Sequence, residues 1–427
     1  MDRPTVGSVQ ILRGNALALA LADESVDLIV TSPPYFGLRS YQDGGEHYEG
    51  QIGAEATPAE FIDALTAATR EMMRVLKPSG SIWVNLGDKY SGYSGAKWGH
   101  GRDLAGDRGD SRVPVAGPTS APDVYGIPNK SLMGIPWRYA IRCIDELGLI
   151  LRAEVIWSKP NGLPESVKDR VRRSHETWFH FTREPRYFSA VDEIREAHLA
   201  PNRSGTNPKH ESAPFAAGIP AHTSLSTTQP NPLGKLPGSV WTIPTEPLHV
   251  PESLGIDHFA AFPTEWPRRI IQGWSPRGIC VECGEGRRPT SERDPIDPRF
   301  LASNKRGDGR GNVEVRGVSQ SSILRTGLQA GQSPATRITG EACACPEPTA
   351  PTRPAVVLDP FGGTGTTALV AKALGRHGIS NDMSADYCRL AGWRTTDPKQ
   401  LAKAARRPFV PPAEQTEGQL DLLEGIA

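Results

Sequence analysis

The stretch VVLDPFGGTGTT, residues 356–367, begins as an apolar strand, passes through a glycine-rich turn and ends at the start of a helix. Gly362, Gly363 and Gly365 allow the backbone to approach a ligand closely just after the strand ends in Asp359. The turn lacks the Lys-Ser/Thr ending of a phosphate loop, and its glycine spacing is not that of a dinucleotide site. Taken alone, it is compatible with a cofactor loop and with a purely structural turn.

The strand after this turn ends in a second carboxylate. The sequence GISND, residues 378–382, places Asp382 about 20 residues beyond the turn, a spacing that suits a hydrogen bond to a ribose. The alternative is that Asp382 caps a helix that begins near Ser384. The turn and the spacing together favour the ribose interpretation.

A rigid, half-polar corner, TSPPY at residues 31–35, follows the apolar run DLIV at residues 27–30. Its two prolines fix the backbone and therefore hold the neighbouring carbonyl groups in place. Considered alone, these five residues also suit a strand-ending turn that is capped by an aromatic ring.

Strands and helices alternate outward from these two corners. The patterns predict strands at 9–12, 27–30, 81–86, 151–158, 177–182, 239–243, 355–358 and 378–382, and helices at 15–22, 57–76, 137–147, 264–272 and 366–374. Thr57, Pro58 and Glu60 form a capping box at the start of the second helix. The alternation predicts an α/β fold, with an open, mostly parallel sheet and helices on both faces.

The composition bears on the partners, the location and the redox state of the protein. The 427 residues include 48 Lys and Arg against 48 Asp and Glu, so the net charge indicates no particular partner. The sequence has no run of about 18 apolar residues. The N-terminal residues also lack the apolar core of a signal peptide, and we therefore expect no membrane contact and a cytoplasmic location. There the six cysteines would stay reduced.

Two segments resemble the motifs of one enzyme family. DPFGGTGT at 359–366 resembles the S-adenosylmethionine motif of amino-group DNA methyltransferases, and TSPPY resembles their catalytic motif. The order, with the catalytic motif first, is that of the beta class, which implies a circularly permuted, Rossmann-like methyltransferase sheet. Further stretches agree with the family: RVLKPSG at 74–80, NLGD at 85–88, GIPWR at 134–138, IWSKPNGLPES at 156–166, RSHE at 173–176 and HFAAFP at 258–263.

The resemblance implies methyl transfer from S-adenosylmethionine to the exocyclic N4 of cytosine. An exocyclic amine is a poor nucleophile, and in the family the first side chain of the four-residue core of this motif (SPPY at 32–35) and the next carbonyl, here Ser32 and Pro33, accept its hydrogens. Pro34 stiffens the turn, and Tyr35 would stack on a base that has been flipped out of the duplex. Serine at the first position leans toward cytosine N4 in this family, whereas aspartate leans toward adenine N6.

Other functions stay open at this point. The first alternative is an N6-adenine DNA methyltransferase. More distant alternatives are an RNA or protein methyltransferase and a catalytically idle DNA-binding scaffold.

The resemblance also implies a set of cofactor-binding residues. On the glycine-rich side they are Asp359, Pro360, Phe361, Gly363, Gly365, Thr366 and Asp382. Family members place an acidic residue near the cofactor's adenine, where this chain has Asn15, whose amide oxygen can still accept a hydrogen bond. Phe262 and Pro263 match a motif beside the methionine end of the cofactor.

Four of the six cysteines form two close pairs. CVEC at 280–283 has a spacing typical of zinc sites, whereas CAC at 343–345 has a less usual one. Because four thiolates suit tetrahedral zinc, Cys280, Cys283, Cys343 and Cys345 predict a structural zinc ion in a small, zinc-ribbon-like insertion. The alternative is four reduced cysteines in a flexible loop.

These observations suggest a division of the chain into segments. Residues 1–200 would form the catalytic half, with a loop insertion at 91–125, and 201–238 an irregular insertion that is a candidate target-recognition element. Residues 239–277 would supply a cofactor-side strand and helix, 278–347 the cysteine insertion, 348–397 the S-adenosylmethionine-binding half and 398–427 a tail. The implied partner is double-stranded DNA. A homodimer and a cognate restriction endonuclease are further candidates that the sequence leaves open.

Overall fold

The computed structural model describes residues 7–37, 42–43, 46–47, 50–91, 126–162, 165, 167–197, 231–256, 261–293, 336–346 and 350–409. Most of the predicted insertions at 91–125 and 201–238 lies outside the described residues, as does the predicted tail beyond residue 409. Residues 258–260 of the stretch HFAAFP lie outside them as well.

The described residues form fourteen strands and six α-helices. In chain order the strands are β1 (Ser8–Arg13), β2 (Val26–Thr31), β3 (Gln42–Asp43), β4 (Glu46–His47), β5 (Leu76–Leu86), β6 (Ile150–Ser158), β7 (His175–Thr182), β8 (Val240–Thr242), β9 (Ile279–Cys280), β10 (Arg288–Arg293), β11 (Thr336–Ala342), β12 (Thr352–Arg353), β13 (Val356–Asp359) and β14 (His377–Asp382). The helices are α1 (Pro58–Val75), α2 (Ile135–Asp145), α3 (Glu265–Trp274), α4 (Thr366–Ala373), α5 (Ala385–Thr396) and α6 (Pro398–Ala404).

Eight of these strands form one sheet, in the order β1-β14-β13-β2-β5-β7-β6-β8. Neighbouring strands run parallel, except that β7 is antiparallel to both β5 and β6. The predicted α/β class and mostly parallel sheet are therefore confirmed. The strands β13 and β14 come last in the chain yet lie between β1 and β2 in the sheet. That this order is a circular permutation stays an interpretation.

The burial of the central strand β2 is explained by its apolar sequence. All six residues of β2 are buried, as expected for an apolar strand that is covered on both faces. Helix α1 begins at the predicted capping box, because the Thr57 side chain accepts from the Glu60 backbone and the Glu60 side chain accepts from the Thr57 backbone. Phe61, Leu65 and Met72 of this helix are buried in the main hydrophobic core.

The predicted helix at 15–22 is wrong, because turns occupy this segment. The Asn15 side-chain oxygen accepts a hydrogen bond from the Leu17 backbone at 2.9 Å, and the Asn15 carbonyl accepts one from Ala18 at 3.0 Å. Asparagine often closes a turn on the backbone two residues ahead, in competition with a helix. The predicted tail, by contrast, begins with a helix, since α6 occupies residues 398–404 and buries Ala404.

The chain divides into two compact units. The first comprises Met1–Tyr187, Val240–Ile271 and Pro354–Ala427, and the second comprises Phe188–Ser239 and Gln272–Arg353. The first unit contains the eight-stranded sheet. The second contains two short antiparallel ladders, β10 with β11 and β9 with β12. The finer segments predicted from the sequence stay a proposal. None of the helices that the structure describes is long and apolar enough to cross a bilayer.

Candidate active site

A cavity of about 670 Å³ opens in the first unit where the strands of the sheet end. Its lining includes Asn15 after β1, Ser32 after β2, Asn85 near the end of β5, Pro360 after β13 and Asp382 at the end of β14. Parallel strands present their carboxyl ends at one edge, and open α/β sheets bind ligands at that edge. The cavity therefore lies where the fold class predicts a ligand.

A buried carboxylate connects the two corners that stand out in the sequence. Asp359 at the end of β13 accepts hydrogen bonds from Thr31 Oγ1 at 2.6 Å and from Thr367 Oγ1 at 3.0 Å. It also accepts from the Phe361 backbone at 3.2 Å. Burial raises the pKa of Asp359 to about 7, although the bonds from Thr31, Thr367 and Phe361 act in the opposite direction. This carboxylate thus fixes the TSPPY corner against the glycine-rich turn.

The glycine-rich turn requires its glycines for steric reasons. A Cβ atom on Gly362 would lie 2.0 Å from Ser380 Oγ on the adjacent strand, so a side chain there would force Ser380 or the turn to shift. Gly365 has φ near +72°, and a Cβ atom there would lie 2.8 Å from the Ala391 Cβ of α5. Because residues 362 and 365 have no side chains, the turn can lie close to β14 and α5.

The Asp382 carboxylate accepts two backbone hydrogen bonds, and its contact with a ribose stays a prediction. Its Oδ2 accepts from the Gly363 backbone at 2.8 Å, and its Oδ1 accepts from the Ser384 backbone at 2.9 Å. The cap of α5 is Ser384, whose hydroxyl accepts from the Tyr387 backbone. Asp382 also lines the cavity. The carboxylate is therefore held rigidly by backbone amides at the cavity wall.

A buried arginine lies behind the same turn. Arg394 of α5 is 3 % exposed, and its Nη1 donates to Thr364 Oγ1 and to Thr366 Oγ1, each at 2.7 Å. Burial lowers the pKa of Arg394 to about 10. Among the described residues, no carboxylate lies within ion-pair distance of it. Both threonines line the cavity, so Arg394 orients the polar end of the turn.

The TSPPY corner is connected to a second set of polar groups. The Ser32 hydroxyl donates to Asn85 Oδ1 at 3.3 Å, and the Tyr35 hydroxyl lies 2.6 Å from the same oxygen. Tyr35 also lies 2.8 Å from Glu176 Oε2, and Lys159 pairs with Oε1 of Glu176. The Asn85 amide is held in turn, since its Nδ2 donates to the Thr177 carbonyl at 3.2 Å.

Most of the predicted site residues lie on the cavity. Those that line it are Ser32, Pro33, Pro34, Tyr35, Asn15, Phe262, Pro360, Phe361, Gly363, Thr366 and Asp382. Asp359 and Gly365 are placed behind its wall, and Pro263 lines a smaller, neighbouring depression. That any of the predicted residues binds a cofactor or the target base stays a prediction. Phe262 packs edge-on against Trp178, with ring centroids 5.9 Å apart.

Sequence reasoning assigned no role to Asn85, Lys159, Glu176 or Arg394. The first three lie in NLGD, IWSKPNGLPES and RSHE, stretches that resemble the family without indicating a role for these residues. The available signal was a polar residue near the end of β5, directly after β6 and at the beginning of β7. Nothing in the sequence indicated a role for Arg394, because a basic residue near the end of a helix usually faces solvent.

The four paired cysteines come together in the second unit. The Sγ atoms of Cys280, Cys283, Cys343 and Cys345 all lie within 4.8 Å of one another. The two predicted pairs therefore form one cluster, and this cluster can hold a metal ion.

Comparison with known proteins agrees with this arrangement. The DNA methylase family of N6 and N4 methyltransferases matches residues 26–281 and 352–392. The Type II methyltransferase M.SmaI of Serratia marcescens is 34% identical over 278 residues, which cover 64% of this chain and 78% of that protein. M.XycI of Xanthomonas campestris pv. cyanopsidis is 40% identical over 193 residues, or 44% of this chain.

The chain spans 58% of the length of M.XycI and the same share of M.Cfr9I of Citrobacter freundii. Among solved structures, the PvuII DNA methyltransferase (cytosine-N4-specific) aligns with a TM-score of 0.48 and 17% identity, covering 94% of this chain and 93% of that one. The family match covers well over half of the chain and includes both the TSPPY corner and the glycine-rich turn. The chain therefore belongs to the N6/N4 DNA methylase family.

Proposed function

We propose that this chain transfers a methyl group from S-adenosylmethionine to the exocyclic N4 of cytosine in double-stranded DNA, after the base has been flipped out. The observation that carries the proposal is that the TSPPY corner and the glycine-rich turn border one cavity. The Thr31–Asp359 hydrogen bond of 2.6 Å joins the two. Membership of the DNA methylase family supports the same reaction.

The cavity suits the cofactor in size and chemistry. Its volume of about 670 Å³ falls within the range of small-molecule sites. Asp382 offers a fixed carboxylate to ribose hydroxyls, and Phe361 and Phe262 offer apolar surface. Asn15 would lie at the adenine end, although its side-chain oxygen already accepts one bond from Leu17. S-Adenosylmethionine, when bound, supplies an electrophilic methyl group.

The corner residues orient the target amine. Because the Ser32 hydroxyl hydrogen is directed to Asn85, the lone pairs of its oxygen remain able to accept a hydrogen from the amine. The Pro33 carbonyl, fixed by the ring of Pro34, would accept the second hydrogen. Neither group is a strong base, so acceleration comes from holding the amine in line with the methyl donor, and the proton that the amine loses passes to solvent. Tyr35 would stack on the flipped base.

The choice of cytosine rests on Ser32, the residue before the two prolines, because the family carries Asp at this position in members that lean toward adenine. The test is to methylate plasmid DNA with labelled cofactor, digest it to nucleosides and identify the labelled product by chromatography and mass spectrometry. We expect N4-methylcytosine. N6-methyladenine as the sole product would overturn the choice of base, and failure to label any DNA would overturn the proposed function.

The relatives named above are Type II methyltransferases, and we extend the proposal to a role in restriction-modification. A cognate endonuclease would then cleave the unmethylated sequence that this chain protects. Sequencing of DNA from cells that express the chain would reveal the methylated sequence. Sedimentation of the purified chain would test whether it forms a homodimer.

A further inference from the structure

The second unit contains a cluster of four thiols that takes no part in the proposed methyl transfer. We propose that Cys280, Cys283, Cys343 and Cys345 bind one zinc ion as a closed tetrathiolate site that stabilises this unit. On binding, the four thiol protons pass to solvent, and the resulting complex carries a net charge of about −2. The site is independent of the proposed reaction, because none of the four residues lines the cavity.

The distances between sulfurs fit a tetrahedral metal. With Zn–S bonds of about 2.3 Å, neighbouring sulfurs in a tetrahedron lie about 3.8 Å apart. The Sγ atoms of Cys280 and Cys345, which belong to different pairs, lie 3.9 Å apart. All four sulfurs lie within 4.8 Å of one another, so small shifts of the side chains would complete the coordination shell.

The backbone brings the two pairs together. The first pair forms a tight turn at the end of β9, in which Gly284 has φ near +72° and donates to the Cys280 carbonyl at 3.0 Å. The Cys280 amide donates in turn to the Glu285 carbonyl at 2.9 Å. The second pair follows β11, which pairs with β10 so that Arg288 faces Ala342, the residue before Cys343. The ladder therefore places the second pair beside the first.

The charges near the cluster suit a thiolate complex. The guanidinium group of Arg287 lies beside Cys280 and Cys343 and also donates to the Ala350 carbonyl at 2.6 Å. The positive charge of this guanidinium offsets part of the negative charge that a tetrathiolate site retains. Cys345 Sγ lies 3.9 Å from a carboxylate oxygen of Glu282, to which a protonated thiol can donate a weak hydrogen bond. Because Glu282 is exposed, its side chain can turn to water once Cys345 is a thiolate.

The part of the second unit that the structure describes buries few apolar side chains. The strands β9 and β12 are two residues long. The buried apolar side chains described in this unit are Phe188, Ala190, Trp274, Ile279, Cys280 and Ala350. Small modules with so few buried side chains usually need a disulfide or a metal. Four protein ligands leave no open position for water or substrate, which makes the site structural.

The first experiment uses the full chain, purified without chelators and passed through gel filtration. Elemental analysis is expected to find about one zinc per chain, and an organomercurial should release it. Exchange with Co²⁺ should give the intense visible bands of a tetrahedral ion, together with thiolate charge-transfer absorption. Absence of zinc would overturn the proposal. So would an intact mass lower by two hydrogens per cysteine pair, which would indicate disulfides.

Variants localise the metal. Cys283→Ser and Cys345→Ser should each lose zinc, whereas Cys388→Ser, which alters a cysteine outside the cluster, should retain it. Because a variant can fail to fold, hydrogen exchange on the wild-type chain provides a second measurement. Removal of zinc should raise exchange in β10 and β11 by at least about tenfold and leave α1 unchanged. Equal exchange in β10 and β11 with and without zinc would contradict a stabilising role.

Discussion

The hydroxyl of Tyr35 lies 2.8 Å from a carboxylate oxygen of Glu176, although 141 positions separate the two residues in the chain. The same hydroxyl lies 2.6 Å from Asn85 Oδ1. One hydroxyl hydrogen can donate to only one acceptor at a time. The Tyr35 ring is therefore positioned by two alternative hydrogen bonds rather than by a single one. Lys159 holds Glu176 in place from its other side. In the proposed function, this arrangement positions the ring on which the flipped base would stack.

Replacement of Glu176 by alanine should therefore lower kcat. A displaced Tyr35 ring would misalign the target base, and misplacement of about 1 Å can reduce the rate about 100-fold. Glu176→Gln keeps an acceptor but loses the pairing with Lys159, so it should lose less activity. Cofactor affinity, measured by calorimetry, should stay unchanged in both variants. Tyr35→Phe combined with Glu176→Ala should be no worse than the more damaging single change, whereas fully additive losses would contradict the coupling.

The raised pKa of Asp359 makes stability depend on pH. The folded chain holds a proton on this buried carboxyl up to about pH 7, whereas the unfolded chain releases it near the ordinary value of 3.8. Between these values the folded state binds more protons, so the stabilisation is full below pH 3.8 and is lost as pH rises through 7. The stability of the wild type relative to Asp359→Asn should therefore fall as pH rises from 5 to 8.

Denaturant unfolding at several pH values measures this difference. Asp145→Asn, which alters an exposed carboxylate, is the control for the loss of a carboxylate elsewhere in the chain. A constant difference between wild type and Asp359→Asn across the range would show that Asp359 does not titrate there, and it would contradict the raised pKa of this carboxyl.

Removal of the Arg394 guanidinium should weaken cofactor binding. In Arg394→Met the two threonine hydroxyls lose their common donor, and the polar end of the glycine-rich turn is no longer held in one geometry. We expect the cofactor Kd to rise by about tenfold, since a loosely supported site loses affinity. Arg389→Met is the matched control, because Arg389 lies on the same helix but is exposed and pairs only locally with Asp386. Equal Kd values for the two variants would refute this role.

Much of the fold could be predicted because its signals are local. The buried run of β2, the capping box at Thr57 and the strand that leads into Asp359 each depend on a few adjacent residues. The helix predicted at 15–22 failed because Asn15 closes a turn on its own backbone. The network around Glu176 could not be predicted, since it forms only when β5, β6 and β7 are adjacent, and strand order is a tertiary property. The burial of Arg394 depends on the packing of α5 for the same reason.

The ring of Tyr35 also explains why residue 87 is glycine. A Cβ atom on Gly87 would lie 2.7 Å from Tyr35 Cε2 and 3.0 Å from Cδ2, closer than real contacts allow. Gly87→Ala should therefore push the ring away from Asn85 and Glu176 and lower kcat by about tenfold or more, with cofactor affinity retained.

The control is Gly392→Ala in helix α5, where a Cβ atom meets nothing within 4 Å. This change should leave kcat unaltered and slightly raise stability, because alanine restricts the unfolded chain more than glycine does. Fluorescence of 2-aminopurine at the target base would report on base flipping directly. We expect a weaker signal change with Gly87→Ala than with Gly392→Ala. If Gly87→Ala retained full activity, the position of the Tyr35 ring would not limit the reaction, and the role assigned to Glu176 would have to be abandoned as well.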